Sequence, residues 1–228
     1  MEIIPQVHRI PNVTGANSYL LLGHTLALVD TGMPGNAGRI LQAIRNLGRQ
    51  PDDLTLIVIT HYHVDHIGSL QAMTAATGAQ VLAHRDEIPI IAGQRPQPVP
   101  RGALFGLLFR LVPAMSRFDP APVDVPLEDG QRLDLLGGAV VVHAPGHTPG
   151  SIALHFPGER LLITGDVINR RANRLGPPPR PFTLDMAQAL ESMRRLAALD
   201  FGVLCTGHGD PIVGGADEQL RAWLQQLH

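Results

Sequence analysis

Three histidines and an aspartate fall within six positions, His61-Tyr62-His63-Val64-Asp65-His66. Residues two apart in an extended segment point the same way, so His61 and His63 can reach one ion together. Asp65 and His66 follow where the chain turns and can address a second position close by. Imidazole with carboxylate, and no thiolate, suits zinc, iron or manganese. Alone, such a stretch could be a histidine-rich surface loop. Three further places supply what it lacks: His147 in Ala144-Pro145-Gly146-His147-Thr148-Pro149-Gly150, Asp166 in Ile163-Thr164-Gly165-Asp166, and His208 in Cys205-Thr206-Gly207-His208-Gly209. A glycine adjoins each of the three, which lets the backbone turn tightly near an ion.

All four groups are placed by the same device. Leu54-Thr55-Leu56-Ile57-Val58-Ile59 is a continuous apolar, β-branched run that reads as a strand buried on both faces, and the histidine stretch follows it directly. Ala139–Val142 precedes His147, Arg160–Leu162 precedes Asp166, and Phe201–Leu204 precedes His208. The chemistry therefore sits on loops at strand ends, where α/β sheets bind ligands.

The remaining elements follow from periodicity and turn residues. Residues 3–10 read as one edge strand. Ser18–Leu22 and Thr25–Val29 flank a two-residue turn, Gly23-His24. Helical spacing runs from Pro34 to Leu47, with Gly48 at its end, and from Ser69 to Thr77, with Gly78 stopping it. Gln80–Ala83 is a strand. In the second half, Glu128-Asp129-Gly130 is a turn. Ala139–His143, Ser151–Phe156, Arg160–Thr164 and Phe201–Cys205 are strands. Leu184–Leu199 is a helix capped by Thr183, and Ala216–Leu227 is the closing helix.

The ordered set His61-x-His63-x-Asp65-His66, His147, Asp166, His208 resembles the metallo-β-lactamase superfamily of hydrolases, and the likeness covers nearly the whole chain. The resemblance implies a four-layer α-β-β-α sandwich with metals at the seam between the two sheets; periodicity alone gives only layered α/β. It further implies that His61, His63 and His147 hold a first metal, that Asp65, His66 and His208 hold a second, and that Asp166 bridges them. Asp30, in Leu28-Val29-Asp30-Thr31-Gly32, matches the superfamily's aspartate that supports the ligand loop from behind. The cofactors expected are two divalent ions, zinc first, with iron or manganese as alternatives.

Two such ions would lower the pKa of a shared water toward about 7, giving a hydroxide nucleophile at neutral pH. No Gly-x-Ser-x-Gly elbow competes for that role. Asp65 is the candidate to pass a proton to the leaving group. By resemblance, the substrate is an ester, lactone or thioester. True β-lactamases of the superfamily usually lack the bridging aspartate. Glyoxalase II enzymes carry a longer C-terminal helical region, and transfer-RNA-processing members carry RNA-binding modules. N-acyl-homoserine lactonases match in size and ligands. A persulfide dioxygenase with one iron is the rival chemistry. A non-catalytic binding member is disfavoured, because all seven ligand positions are filled.

Other residues have plainer readings beside functional ones. Arg170, Arg171, Arg174 and Arg180 lie in a loop soon after Asp166 and could clamp a substrate carboxylate or phosphate, or simply face solvent. Tyr62 could aim its hydroxyl at substrate, or pack. His8, His24, His84, His143, His155 and His228 have no ligand partners by spacing. Cys205 packs at a strand end, and as the sole cysteine it excludes an internal disulfide. Residues 85–125 form an inserted, proline-rich, apolar segment bearing Leu104, Phe105, Leu107, Leu108 and Phe109. It reads as a lid over the metals, a helix packed on the core, or a dimer interface.

The 228 residues fit one domain spanning 1–228. With 44% hydrophobic residues, 17% charged and a net charge of -2, the composition suits a globular protein with a small-molecule substrate and gives no sign of nucleic-acid binding. The longest apolar stretch, Gly102–Met115, is interrupted by Arg110 and is shorter than the roughly 20 residues a bilayer needs. No basic-then-apolar leader opens the chain, so a cytoplasmic location is expected.

Overall fold

The computed structural model describes residues 1–99, 102, 106–107, 111 and 117–227. Its apolar strands sort into two mixed sheets. The first runs in order β1 (Glu2–Ile4), β2 (Val7–Arg9), β3 (Tyr19–Leu22), β4 (Leu26–Val29), β5 (Leu54–Ile59), β6 (Gln80–His84) and β7 (Val125–Leu127). Strands β1 to β4 pair antiparallel, and β4 to β7 pair parallel. The crossovers carry α1 (Ala37–Asn46), α2 (Val64–Ile67), α3 (Leu70–Thr77) and α4 (Ile88–Ile91). The second sheet is built from β8 (Arg132–Leu133), β9 (Ala139–His143), β10 (Ile152–Phe156), β11 (Leu161–Ile163), β14 (Val203–Cys205) and β15 (Ile212–Val213). A separate hairpin, β12 (Asn169–Arg171) with β13 (Arg174–Gly176), follows Asp166. Helices α5 (Met186–Ala197) and α6 (Ala216–Gln225) complete the chain.

Alternation along the strands makes the layers. Val29, Val58 and Leu82 face the second sheet, where Val141, Leu154, Ile163 and Val203 meet them. Their neighbours Leu28, Ile57 and Val81 face the other way, onto Ile40 and Ile44 of α1 and onto Leu70 and Met73 of α3. On the far side, Ala153, Leu162 and Leu204 pack on Met193 and Leu196 of α5 and on Leu220 of α6. The result is helices, sheet, sheet, helices, which is the expected four-layer sandwich. Each fully buried Leu, Ile or Val contributes about 1.5–3 kcal/mol relative to exposure.

Topology then gathers the loops. Strands β9 and β11 both run antiparallel to the intervening β10, and β14 is parallel to β11. Strands β9, β11 and β14 therefore point the same way, and the loops bearing His147, Asp166 and His208 emerge on one rim. The end of β5 meets that rim, where the Ile152 N–H donates to the Thr60 carbonyl at 3.0 Å.

Several local expectations change. Residues 3–10 form a β1–β2 hairpin rather than one strand, because Gln6 turns the chain with a φ of 68°. The β3–β4 connection has three residues, with Leu22 pairing Leu26. The late helix begins at Met186. Its cap is Asp185, whose carboxylate accepts from the Gln188 N–H at 3.0 Å, and Thr183 is used elsewhere. The arginine loop is the β12–β13 hairpin, turned by Ala172 and Asn173 at positive φ. Of the inserted segment, Ile90, Ile91 and Ala121 pack on the first sheet. Phe105 and Phe109 lie outside the described residues, as does most of 102–118. Among the described residues no helix is long and apolar enough to cross a membrane.

Candidate metal centre

His61 and His63 stand in the loop after β5, His63 on extended backbone, while Asp65 and His66 sit on the single turn of α2. His61 Nε2 lies 3.1 Å from His63 Nδ1, which lies 2.9 Å from His147 Nε2. A second group forms alongside. His208 Nε2 is 3.1 Å from Asp65 Oδ2, and His66 Nε2 is 4.0 Å from the same oxygen. Asp166 lies between the groups: Oδ1 is 3.4 Å from His66 Nε2, and Oδ2 is 3.4 Å from His208 Nε2 and 3.7 Å from His147 Nε2. All seven sequence-selected residues thus come together. Gly207 makes this closeness possible, since a Cβ there would stand 2.3 Å from Asp166 Oδ1.

The outer ring nitrogens of His61, His66 and His147 are also occupied, and for His61 and His147 this sets the tautomer. Thr60 Oγ1 donates to Asp30 Oδ2 at 2.8 Å, so it accepts from His61 Nδ1, 3.1 Å away, and leaves Nε2 with its lone pair inward. Thr183 Oγ1 donates to the Pro179 carbonyl at 2.8 Å and accepts from His147 Nδ1 at 3.2 Å, with the same consequence. Asp30 Oδ2 holds His66 Nδ1 at 2.7 Å, and Asp30 Oδ1 accepts from the Thr60 N–H at 2.9 Å. Such partners orient a ligating imidazole and raise its basicity. On the other side of the seam, Asn17 and Tyr19 donate to carbonyls of the His208 loop, at Thr206 and Gly209.

The electrostatics divide the cluster. Burial drives the His61 imidazole well below its usual range, and takes His63 down to about 4 and His147 to about 3. These three present neutral rings at neutral pH. Burial also disfavours a charged His66, yet Asp30, Asp166 and Asp65 around it hold its pKa well above normal. His208 rises to about 9, because hydrogen bonds to Asp166 and Asp65 overcome its burial. Against its own desolvation, Asp65 is drawn down to about 2 by His66 and His208, and Asp166 falls well below the carboxylate range in the same way.

The donor set fits divalent metal. His66 Nε2 and Asp166 Oδ1 are buried without a hydrogen-bond partner and face each other at 3.4 Å. Two ligands at roughly 2.0–2.1 Å on one tetrahedral ion stand about 3.3–3.4 Å apart. The groups His61-His63-His147, His61-His66-Asp166 and Asp65-His66-His208 each bring ligand atoms within 4.8 Å of one another.

A cavity of about 320 Å³ opens over these residues, with Met33, Val64, Pro179 and Phe182 as its apolar wall. Gln97 and Arg171 also line it. A larger groove of about 420 Å³ runs between β2 and α1 and holds none of the seven. Of the four arginines considered for a clamp, Arg171 alone reaches the cavity wall. Arg170 instead donates to the Asp210 and Pro211 carbonyls, and Arg174 lies opposite Arg171 across the hairpin. Tyr62 is 1% exposed and packs in the helix-side core, which corrects its reading as a substrate contact. What Tyr62 contributes is backbone: its N–H donates to Glu87 Oε2 at 2.7 Å and its carbonyl accepts from Gln97 Nε2 at 2.8 Å. Glu87 and Gln97 were not singled out from the sequence, and Thr183 was read there only as a helix cap.

A further histidine group was missed as well. His84 and His143 stack with centroids 4.1 Å apart and planes 7° apart, and Asp86 Oδ2 lies 3.6 Å from His84 Nδ1.

Fold and site together define an α-β-β-α protein that gathers metal-binding side chains at the seam of its sheets. The chain belongs to the metallo-beta-lactamase superfamily, whose model matches residues 11–208. It is 32% identical to a probable metallo-hydrolase, YflN, of Bacillus subtilis, over 84% of this chain and 78% of that protein. It is 34% identical to a hydroxyacylglutathione hydrolase of Fuscovulum blasticum, over 80% of this chain but 56% of the relative. In fold it is similar to the metallo-beta-lactamase family protein TTHA1429 of Thermus thermophilus, with a TM-score of 0.76 at 24% identity, covering 99% of this chain and 80% of the other. Membership places the chain among metal-binding hydrolases.

Proposed function

We propose that the protein is a dinuclear metal-dependent hydrolase of an ester, lactone or thioester. The observation that carries this reading is the position of Asp166, whose two oxygens lie within 3.4–3.7 Å of imidazoles from both groups. In this reading His61, His63 and His147 hold one ion, Asp65, His66 and His208 hold the other, and Asp166 touches both. Zinc suits the imidazole and carboxylate donors, with iron or manganese as alternatives. Metals bound there would supply a water of lowered pKa, toward about 7, and a Lewis acid for the acyl oxygen.

The chain's own residues do the rest. The apolar wall of Met33, Val64 and Phe182 receives the acyl or alkyl part of the substrate and excludes water from it. Arg171 faces the same space and meets a substrate carboxylate at the rim. Asp65 lines the cavity with a carboxylate that is ionised at neutral pH, so it would first take a proton from the attacking water and then hand that proton to the departing alkoxide or thiolate. Similarity to a hydroxyacylglutathione hydrolase supports the thioester member of the class.

The test is hydrolysis of a panel of short acyl esters, acyl thioesters and lactones by metal-loaded protein, with oxygen uptake followed on a persulfide. Turnover of at least one acyl class without oxygen uptake supports the reading, and oxygen uptake without hydrolysis overturns it. Asp65→Asn refines it. Compared with wild type at equal metal content, because Asp65 is also a ligand in this reading, the variant is expected to lose roughly 10²-fold or more in turnover, the scale of a general acid. Near-normal turnover with metal retained would remove the proton role.

A further inference from the structure

Glu87 is the most deeply buried carboxylate near the centre, 0% exposed, yet it lies on neither ligand loop. It accepts three hydrogen bonds. The Tyr62 N–H donates to Oε2 at 2.7 Å, while Thr148 Oγ1 and the Gly150 N–H donate to Oε1 at 2.9 and 2.6 Å. Tyr62 separates His61 from His63 on the first sheet's loop. Thr148 follows His147 on the second sheet's loop. One side chain therefore joins the two loops that supply the trio His61, His63 and His147.

The attachment is close on both sides. A Cβ at Gly150 would stand 2.7 Å from Glu87 Oε1 and 2.8 Å from its Cγ, so the second loop lies directly against the carboxylate. On the first loop, Gln97 takes the Tyr62 carbonyl while Glu87 takes its N–H. Both backbone groups at the residue between two ligands are thus held by side chains. The His208 loop, in contrast, is tied to the first sheet by Asn17 and Tyr19 and has no bond to Glu87.

We infer that Glu87 is a positioning residue for one ion of the pair: it straps the His61–His63 loop to the His147 loop and sets the separation of that trio across the seam. The inference rests on the two-metal reading above. An amide at this position has one acceptor oxygen and cannot satisfy donors on both sides. Glu87→Gln therefore releases one loop while keeping volume. Thr148→Val removes one donor and leaves Glu87 in place.

The test uses the full chain, stripped of metal and titrated with cobalt(II) alone, with absorbance and chelator competition resolving the two ions. Glu87→Gln is expected to weaken one ion roughly 10- to 100-fold, as loss of a ligand-orienting partner does, and to leave the other unchanged. Thr148→Val should shift the same ion by less. In a His208→Ala background, where the other trio is broken, Glu87→Gln should still weaken the remaining ion. In a His147→Ala background it should have no effect. Equal weakening of both ions, or none, overturns the inference while leaving the two-metal reading standing. Should Glu87→Gln fail to melt cooperatively, Thr148→Val in the same two backgrounds decides the matter. A wild-type chain that takes up fewer than two cobalt ions removes the reading, and the inference with it.

Discussion

Two histidine groups among the described residues differ in how their rings meet. His61, His63 and His147 meet edge to face, with ring planes 72–87° apart. His84 and His143 lie flat on each other, 7° apart. A ring nitrogen's lone pair lies in the ring plane. Steeply crossed rings can therefore aim their lone pairs at one point, while parallel rings aim them side by side. The partners reinforce the difference. Thr60 and Thr183 occupy the outer nitrogens of His61 and His147 and leave the inner ones free. His143 Nε2 already meets the Pro149 carbonyl at 2.8 Å. Number and proximity of histidines do not make a metal centre; their orientation by neighbouring hydroxyls and carboxylates does.

This contrast can be broken from its strong side first. Asp166→Ala removes the one carboxylate within reach of both trios. Metal content measured by elemental analysis is expected to fall, with hydrolysis lost by about 10³-fold, the scale of losing a preorganised charge-stabilising group. Full activity in that variant would mean that the two trios work apart. Asp30→Asn leaves the volume but weakens the hold on His66 Nδ1. Chelator competition should show metal affinity lower by roughly 10- to 100-fold. Thr183→Val takes away the acceptor for His147 Nδ1 and should cost about 10-fold, at the low end of the same range. Unchanged affinity there would show that packing alone orients His147. The smallest effect is expected from His143→Ala, which unstacks His84. Thermal melting should register about 0.5–1.5 kcal/mol, the worth of an aromatic pair, with metal content unaltered. A lower metal count would promote this pair to a binding site.

How much of this was legible beforehand follows from distance along the chain. Each of the seven candidate ligands stands just after an apolar run, so strand ends and residue type together marked them. The two-sheet sandwich followed from resemblance, because periodicity cannot say which strands share a sheet. Glu87 left no local signal: its donors are 25, 61 and 63 residues away, and only the fold brings them together. His84 and His143 come from different sheets for the same reason. Thr183 looked like a helix cap, and Asp185 took that place, freeing its hydroxyl for His147. The arginines read as a group that either clamps substrate or faces solvent, yet alternation in the β12–β13 hairpin sends neighbours to opposite faces: Arg171 toward the cavity and Arg170 toward the Asp210 carbonyl.

The most direct measurement is the number and identity of metals per chain in protein purified without added metal, with acyl hydrolysis followed on the same sample. About two divalent ions per chain are expected, with hydrolysis lost on chelation and restored when metal is returned. One iron per chain, no hydrolysis, and oxygen consumption with a persulfide would contradict the account.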